Sequence, residues 1–280
     1  MAGLRRGMES MSKYGTFGAY PQRSLLSAET ALLTVWPTLS RYHDDLVLVG
    51  GLAIHYLTSR DVQGLPGAIT LDVDLGISLA ASGGHYGTIK SDLEGLGFVS
   101  EGQRLVRRRE DIALYIDFLT EDPNQRALGS RVVDDVIANA VPGINRALAC
   151  YRTVLIEGTD VYGIEQRRKV KVADVGPLLV LKLNAFGGPS GRRLPKDAYD
   201  ILLAVTAFVD GPAAAIRGFR AEEAAENPAY RIAIAVLEKD FSEIGHDGPI
   251  RAAEFLGQSS GNRAQVRQDV VTASRRLLGR

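Results

Sequence analysis

Leu46-Val47-Leu48-Val49-Gly50-Gly51-Leu52-Ala53-Ile54 and, a little further on, Thr70-Leu71-Asp72-Val73-Asp74-Leu75-Gly76-Ile77-Ser78 carry two different hydrophobic patterns. The four apolar residues before Gly50-Gly51 read as a short buried strand, and Leu52–Leu57 as the start of a helix beyond the turn. From Thr70 to Ser78, Leu71, Val73, Leu75 and Ile77 alternate with Asp72, Asp74 and Gly76, which is the period of a strand. Residues two apart on a strand share a face, so Asp72 and Asp74 project together while Leu71, Val73 and Leu75 turn to the core. Two parallel carboxylates repel unless a cation sits between them. Mg²⁺ takes one or two carboxylates together with substrate phosphates, an arrangement suited to phosphoryl transfer.

A third carboxylate comes from Leu114-Tyr115-Ile116-Asp117-Phe118-Leu119, where Asp117 interrupts an otherwise apolar strand. Alone, Asp117 reads equally as an edge-facing residue. If its strand lies beside the Asp72-x-Asp74 strand, Asp117 holds a metal or takes the proton of an attacking hydroxyl. Gly50-Gly51, at a strand-to-helix turn, lets the backbone approach a phosphate, and the following helix N-terminus favours anions.

Gly50-Gly51-Leu-Ala-Ile, then Thr70-x-Asp72-x-Asp74, then an isolated strand Asp resembles the signature of the DNA-polymerase-β-like nucleotidyltransferases. Downstream, Leu178-Leu-Val-Leu-Lys182-Leu-Asn-Ala185, then Arg193, Pro195-Lys196-Asp197 and Asp200, resembles the third and fourth motifs of AbiEii-type nucleotidyltransferase toxins. The resemblance spans about Leu46 to Leu203. It implies a nucleotidyltransferase-fold mixed sheet with flanking helices, Mg²⁺ on Asp72, Asp74 and Asp117, and nucleotide contacts from Gly50, Gly51, Thr70 and Lys182. It also implies that Asp197 or Asp200 completes the catalytic set. The implied substrates are a nucleoside triphosphate and an RNA acceptor, at the 3′ end of tRNA, and the implied partner is a cognate antitoxin protein. The sequence departs from the family in having Thr70 where Ser often precedes the first metal Asp.

Read without the resemblance, Lys182 interrupts an apolar helix from Leu178 to Phe186. An unpaired buried ammonium is expensive, so Lys182 must reach solvent, a carboxylate or a ligand. Lys196 and Asp200, four apart, form an ordinary surface ion pair on a helix, and Asp197 and Asp200 share a face.

The chain has 280 residues, 45% hydrophobic and 24% charged, enough for two domains of an ordinary globular protein. Residues 1–22 read as a loose lead-in, 23–174 as the α/β nucleotidyltransferase domain and 175–280 as an all-helical domain, with the change near Asp174. Further helices are expected over Ser27–Leu39 and Gly87–Leu96, and further strands over Phe98–Val106, Ile112–Leu119, Val154–Gly158 and Val170–Val175.

The one cysteine, Cys150, excludes an internal disulfide framework. Arg5 and Arg6 precede no apolar stretch and no run is long enough for a membrane span, so a cytoplasmic protein is expected. The formal net charge of zero argues against indiscriminate coating of nucleic acid. The charge is still clustered: Arg104, Arg107, Arg108 and Arg109; Arg167, Arg168, Lys169 and Lys171; Arg192, Arg193 and Lys196; Arg275, Arg276 and Arg280. These read either as solvated faces or as a phosphate-binding channel.

His43, His55, His85 and His246 show no metal spacing. His55, just after the Gly-Gly turn, and Arg60, before Thr70, are secondary candidates near a triphosphate, and Ser82-Gly83-Gly84 reads as a turn. Two other functions stay open: the same chemistry on a small-molecule acceptor such as an antibiotic, and a non-catalytic nucleotide-binding module. The three intact carboxylates speak against the second.

Overall fold

The computed structural model describes residues 14–59, 64–78, 89–109, 112–122, 129–133, 135–257 and 263–280. Arg60, His85 and the Ser82-Gly83-Gly84 turn lie outside them. Within the described residues the chain is mixed α/β, with one sheet flanked by helices and a helical C-terminal part.

The quoted stretch forms β1 (Leu46–Val49), α2 (Gly50–Leu57) and β2 (Asp72–Ile77), preceded by α1 (Ser24–Thr38). Then come α3 (Ile89–Gly95), β3 (Val99–Glu101), β4 (Arg104–Arg109) and β5 (Ile112–Thr120). Next are β6 (Ser130–Val133), β7 (Val136–Ala140), α4 (Ile144–Ala149), β8 (Tyr151–Thr159) and β9 (Glu165–Ala173). Six helices follow: α5 (Val175–Gly187), α6 (Pro195–Thr206), α7 (Pro212–Ala224), α8 (Tyr230–Val236), α9 (Asp247–Leu256) and α10 (Arg263–Leu278).

The strands lie in the order β3-β4-β5-β2-β1-β9-β8. β1 runs antiparallel to β2 and parallel to β9, while β2 and β5 run parallel. β4 is antiparallel to β5 as far as Asp117, and β7 then takes over the same edge at Phe118–Thr120. α1 packs across β2, β5, β8 and β9, and its Trp36 indole donates to the Lys169 carbonyl (3.0 Å).

Two expectations change in detail. Phe98–Val106 is two strands, because Gly102 (φ +62°) turns the chain between β3 and β4. The lead-in is not loose throughout: Phe17–Ala19 forms a 3₁₀ turn and Tyr20 is buried, its ring edge-on to Phe255 (6.0 Å). From Val175 on every regular element is helical, and side chains from α5 and α6 enter the same continuous core as those of the sheet. No helix among the described residues is long and apolar enough to cross a membrane.

Gly50 is where the fold is least tolerant. Its φ is +71°, and a Cβ built there would lie 1.8 Å from Oδ2 of Asp74. Gly64 has a similar φ, +76°, with nothing within 4 Å of its Cβ position. Gly64→Ala is therefore expected to cost only the backbone strain, about 1–2 kcal/mol, and Gly50→Ala more than that. Thermal unfolding of the two variants checks this; equal losses would mean that Asp74 moves aside without cost.

Candidate active site

Sheet register assembles the carboxylates. Val49 of β1 lies opposite Asp74, Asp74 opposite Asp117 of β5, and Asp117 opposite Arg104 of β4. Directly opposed residues on neighbouring strands point to the same face, with backbones about 4.8 Å apart. Asp72, two residues before Asp74, shares that face. One oxygen from each of Asp72, Asp74 and Asp117 accordingly lies within 4.8 Å of the others. Asp117 is thus interior to the sheet, and the edge-facing reading does not hold.

Asp72 is buried, and its Oδ1 accepts a hydrogen bond from Thr70 Oγ1 (2.7 Å), so the residue before the motif orients the first carboxylate. Arg104 meets the cluster from the fourth strand. Its Nε donates to Asp117 Oδ1 (3.0 Å), and its Nη2 contacts Asp117 Oδ2 and reaches Asp72 Oδ2 at 3.4 Å. Burial works against the Arg104 charge. The bond to Asp117 and the charges of Asp117, Asp72 and Asp74 outweigh it and raise the guanidinium's pKa. The guanidinium also covers the Tyr115 ring at 5.0 Å. The sequence places Arg104 only in a basic cluster; its role as the carboxylates' counter-ion follows from register.

The residue set fits a divalent cation. Three carboxylates converge from two adjacent strands, and a side-chain cation already bridges two of them, which shows that the position demands positive charge.

The second group of candidate residues forms on α5 and α6. After Gly187 the chain doubles back: the Arg192 and Arg193 amides donate to the carbonyls of Ala185 and Phe186, satisfying the open end of α5. Pro195 then starts α6, where a missing N–H costs nothing. The reversal lays Lys182 against Asp197 and Asp200. Lys182 Nζ lies 2.5 Å from Asp200 Oδ2 and 3.3 Å from Asp197 Oδ1, and Lys196 Nζ shares the same Asp200 oxygen at 2.6 Å. Arg192 holds the other Asp197 oxygen at 3.1 Å.

Burial opposes the Lys182 charge, but Asp200 and Asp197 push its pKa up, and Asp74 adds to the shift. Of the three partners open to Lys182, the structure supplies carboxylates. The surface-pair reading of Lys196 and Asp200 is corrected, since both are 1% exposed. Asp197 and Asp200, the two alternatives in α6, both bind Lys182.

The two groups meet at the Gly50-Gly51 turn. A Cβ at Gly51 would lie 2.8 Å from Thr70 Oγ1 and 2.9 Å from Lys196 Nζ. The N-terminus of α2 is therefore flanked by Asp74 at Gly50 and by a buried ammonium at Gly51. His55 is buried, with its Nε2 3.6 Å from Glu29. His43 stacks on Trp36 (4.2 Å), and His246 lies beside Glu243. Arg193 is paired with Asp240 and Asp247, and Arg107 donates to the Leu96 carbonyl.

No protein-family model matches the chain, and no curated protein does. Among solved structures the chain is similar to ANT(2")-Ia in complex with adenylyl-2"-tobramycin, at 15% identity and a TM-score of 0.37 over 71% of this chain and 98% of that one. It is also similar to the Bradyrhizobium diazoefficiens CD-NTase CdnG in complex with GTP, at 13% identity and a TM-score of 0.26 over 93% of this chain and 90% of that one. Neither likeness is close enough to bear on the chemistry, which rests on the geometry above.

Two outcomes test the site. Lys182→Met leaves two buried carboxylates short of a cation, and is expected to lose about 3–5 kcal/mol of stability in denaturant unfolding. Arg104→Gln removes the built-in counter-ion. Added Mg²⁺ should raise the melting temperature of this variant more than that of the wild type, where the ion competes with the guanidinium. A smaller or equal rise would show that Arg104 and the metal do not share the carboxylates.

Proposed function

We propose that the chain is a magnesium-dependent nucleotidyltransferase, moving a nucleoside monophosphate from a nucleoside triphosphate to a hydroxyl acceptor and releasing pyrophosphate. The convergence of Asp72, Asp74 and Asp117 beside the Gly50-Gly51 helix N-terminus is the observation that carries the reading. Those three residues would hold Mg²⁺, which when bound neutralises charge on the triphosphate and the leaving pyrophosphate.

The protein's own part is to position groups and hold protons. The α2 N-terminus and Lys196 offer amide and ammonium donors to phosphate oxygens. Thr70 fixes the rotamer of Asp72. Asp117 takes the proton of the acceptor hydroxyl as the new O–P bond forms and the α–β phosphoanhydride breaks, for which Arg104 must release it. Lys182, committed to Asp197 and Asp200, fixes α6 so that Lys196 stands at the turn.

The Lys182…Asp197-x-x-Asp200 segment supports the AbiEii-type reading, in which the acceptor is the 3′ end of tRNA and the chain is the toxin of a toxin–antitoxin pair. A small-molecule acceptor such as an antibiotic is the second reading. It is favoured by the pairing of Arg193, Arg192 and Arg107 with groups of the protein itself, which withdraws them from an RNA-binding groove.

Incubation with each labelled nucleoside triphosphate, Mg²⁺ and either total RNA or a panel of hydroxyl-bearing antibiotics separates the two. Label on RNA supports the toxin reading, label on a small molecule the second, and no pyrophosphate release with any acceptor overturns the transferase. Asp72→Asn should lower transfer by several orders of magnitude. It keeps an acceptor for Thr70, so its ligand-free stability should change by no more than about 1 kcal/mol. Magnesium with nucleotide should stabilise the wild type by mass action and this variant little.

A further inference from the structure

β8 (Tyr151–Thr159) closes one end of the sheet, and among the described residues no strand pairs with its outer side. The opposite end is β3, only three residues long, which offers a neighbour little to bond. β8 has nine residues and keeps one unbroken register with β9, without a bulge. It contains no proline and no lysine, and its one cationic side chain, Arg152, is tied to Asp174 and Asp210. The devices that usually blunt an exposed edge are missing from it.

The ladder decides which backbone groups face outward. Just beyond the two ends of β8 the Asp174 amide donates to the Cys150 carbonyl and the Asp160 amide to the Ile164 carbonyl, each at 3.0 Å. Hydrogen-bonded positions alternate along an antiparallel pair. The even-numbered positions from Cys150 to Asp160 therefore bond towards β9. Tyr151, Thr153, Leu155, Glu157 and Thr159 turn their N–H and C=O groups to the outer edge, and all five are exposed.

Leu155 is the middle residue of this row. Let two copies meet edge to edge, antiparallel, about a two-fold axis at Leu155. Leu155 then faces the partner's Leu155, Thr153 the partner's Glu157 and Tyr151 the partner's Thr159. Every outward N–H and C=O of the row finds a partner, as a run of hydrogen-bonded pairs. The side chains fit the same register. The two leucines, each 45% exposed, cover one another on the axis, and Tyr151, 42% exposed, lies against a threonine. No like charges are opposed, because Glu157, paired with Arg167 at 2.7 Å, meets Thr153. Moving the axis to Glu157 would oppose two carboxylates and leave the ends unpaired. An arbitrary peptide satisfies the backbone alone, whereas this symmetric fit singles out a second copy.

We propose that β8 is a homodimer interface, joining the sheets of two copies into one across paired Leu155 residues. The inference does not depend on the transferase reading. β8 lies three strands out from β2, so the pairing leaves both carboxylate clusters uncovered.

Sedimentation velocity over a concentration series should show a monomer–dimer equilibrium. Leu155→Lys sets two ammonium groups against each other on the axis and should raise the dimer Kd about 10-fold. Leu155→Cys, made with Cys150→Ser, brings two thiols onto opposed positions with Cα atoms about 5.5 Å apart, within disulfide reach. It should cross-link on mild oxidation. Thr159→Cys in the same background should not, since its two copies would lie ~27 Å apart along the strands. Amide exchange at Thr153, Leu155 and Glu157 should slow as the dimer forms.

Wild-type protein that stays monomeric at every concentration overturns the proposal. So does a dimer indifferent to Leu155→Lys that cross-links no better through Leu155→Cys than through Thr159→Cys, because it uses another surface. Slow exchange of the outward amides in a monomer would mean that a segment of the chain itself covers β8, and overturns it as well. Should Leu155→Lys fail to fold, the two cysteine variants decide.

Discussion

Like charge held at close range is the constraint around which this molecule is organised. Sheet register puts Asp74 and Asp117 on adjacent parallel strands and Asp72 one step along the same face, leaving three carboxylate oxygens within 4.8 Å of one another. None of the three can move far: β2 and β5 lie inside the sheet, and Asp74 Oδ2 is pressed against Gly50. Such an arrangement tolerates no anion and demands a cation. Arg104, brought level by the β4–β5 register, answers that demand with a group that can swing away on a long side chain. A fixed counter-ion would stabilise the site permanently and disable it. On the proposed reading, Arg104 would give up Asp117 and Asp72 when a metal ion binds.

The second charge group obeys the opposite logic. Lys182, Lys196, Asp197 and Asp200 are all nearly or fully buried and bind one another. In such a set the cost of desolvation is offset only while every partner is present. The network therefore acts as a geometric lock between α5 and α6, and Lys196 projects from it to the Gly51 turn. The first group is partly open and the second is closed to solvent. The α2 N-terminus stands where they meet, with a carboxylate on one glycine and an ammonium on the next.

Much of this was legible in the residues. Period-two alternation from Leu71 to Ile77 placed Asp72 and Asp74 on one face, and Gly50-Gly51 marked the turn that Asp74 presses upon. What could not be read is what depends on pairing between distant strands. Arg104 looks like its neighbours Arg107 and Arg108 until register sets it opposite Asp117. β6, β7 and α4 leave no readable period because they span only 4, 5 and 6 residues. β8 and β9 extend beyond their apolar stretches because their outer halves pair as an exposed ribbon, where cross-strand hydrogen bonds and pairs such as Glu157–Arg167 replace burial. Lys196 was misjudged for a related reason: spacing on a helix says which residues pair, not whether another layer covers the pair. The burial of Tyr20 was hidden likewise, since its partner Phe255 lies 235 positions away.

The C-terminal helices bear on the α5–α6 reversal, although the clustered carboxylates all lie in the sheet. Phe255 of α9 supports both Tyr199 on α6 and Tyr20 ahead of α1. Asp240, in the π-helical turn after α8, and Asp247 of α9 hold Arg193, whose backbone is left-handed (φ +50°) at the reversal between α5 and α6. A non-glycine residue keeps that conformation only where its surroundings over-determine it. Loss of the carboxylates that anchor Arg193 would free the reversal, and with it the alignment of Lys182 on Asp197 and Asp200 and the reach of Lys196 to Gly51. The residues after 205 thus bear on Lys182, Asp197 and Asp200 through the ionic support at Arg193, without contributing a carboxylate to the cluster in the sheet.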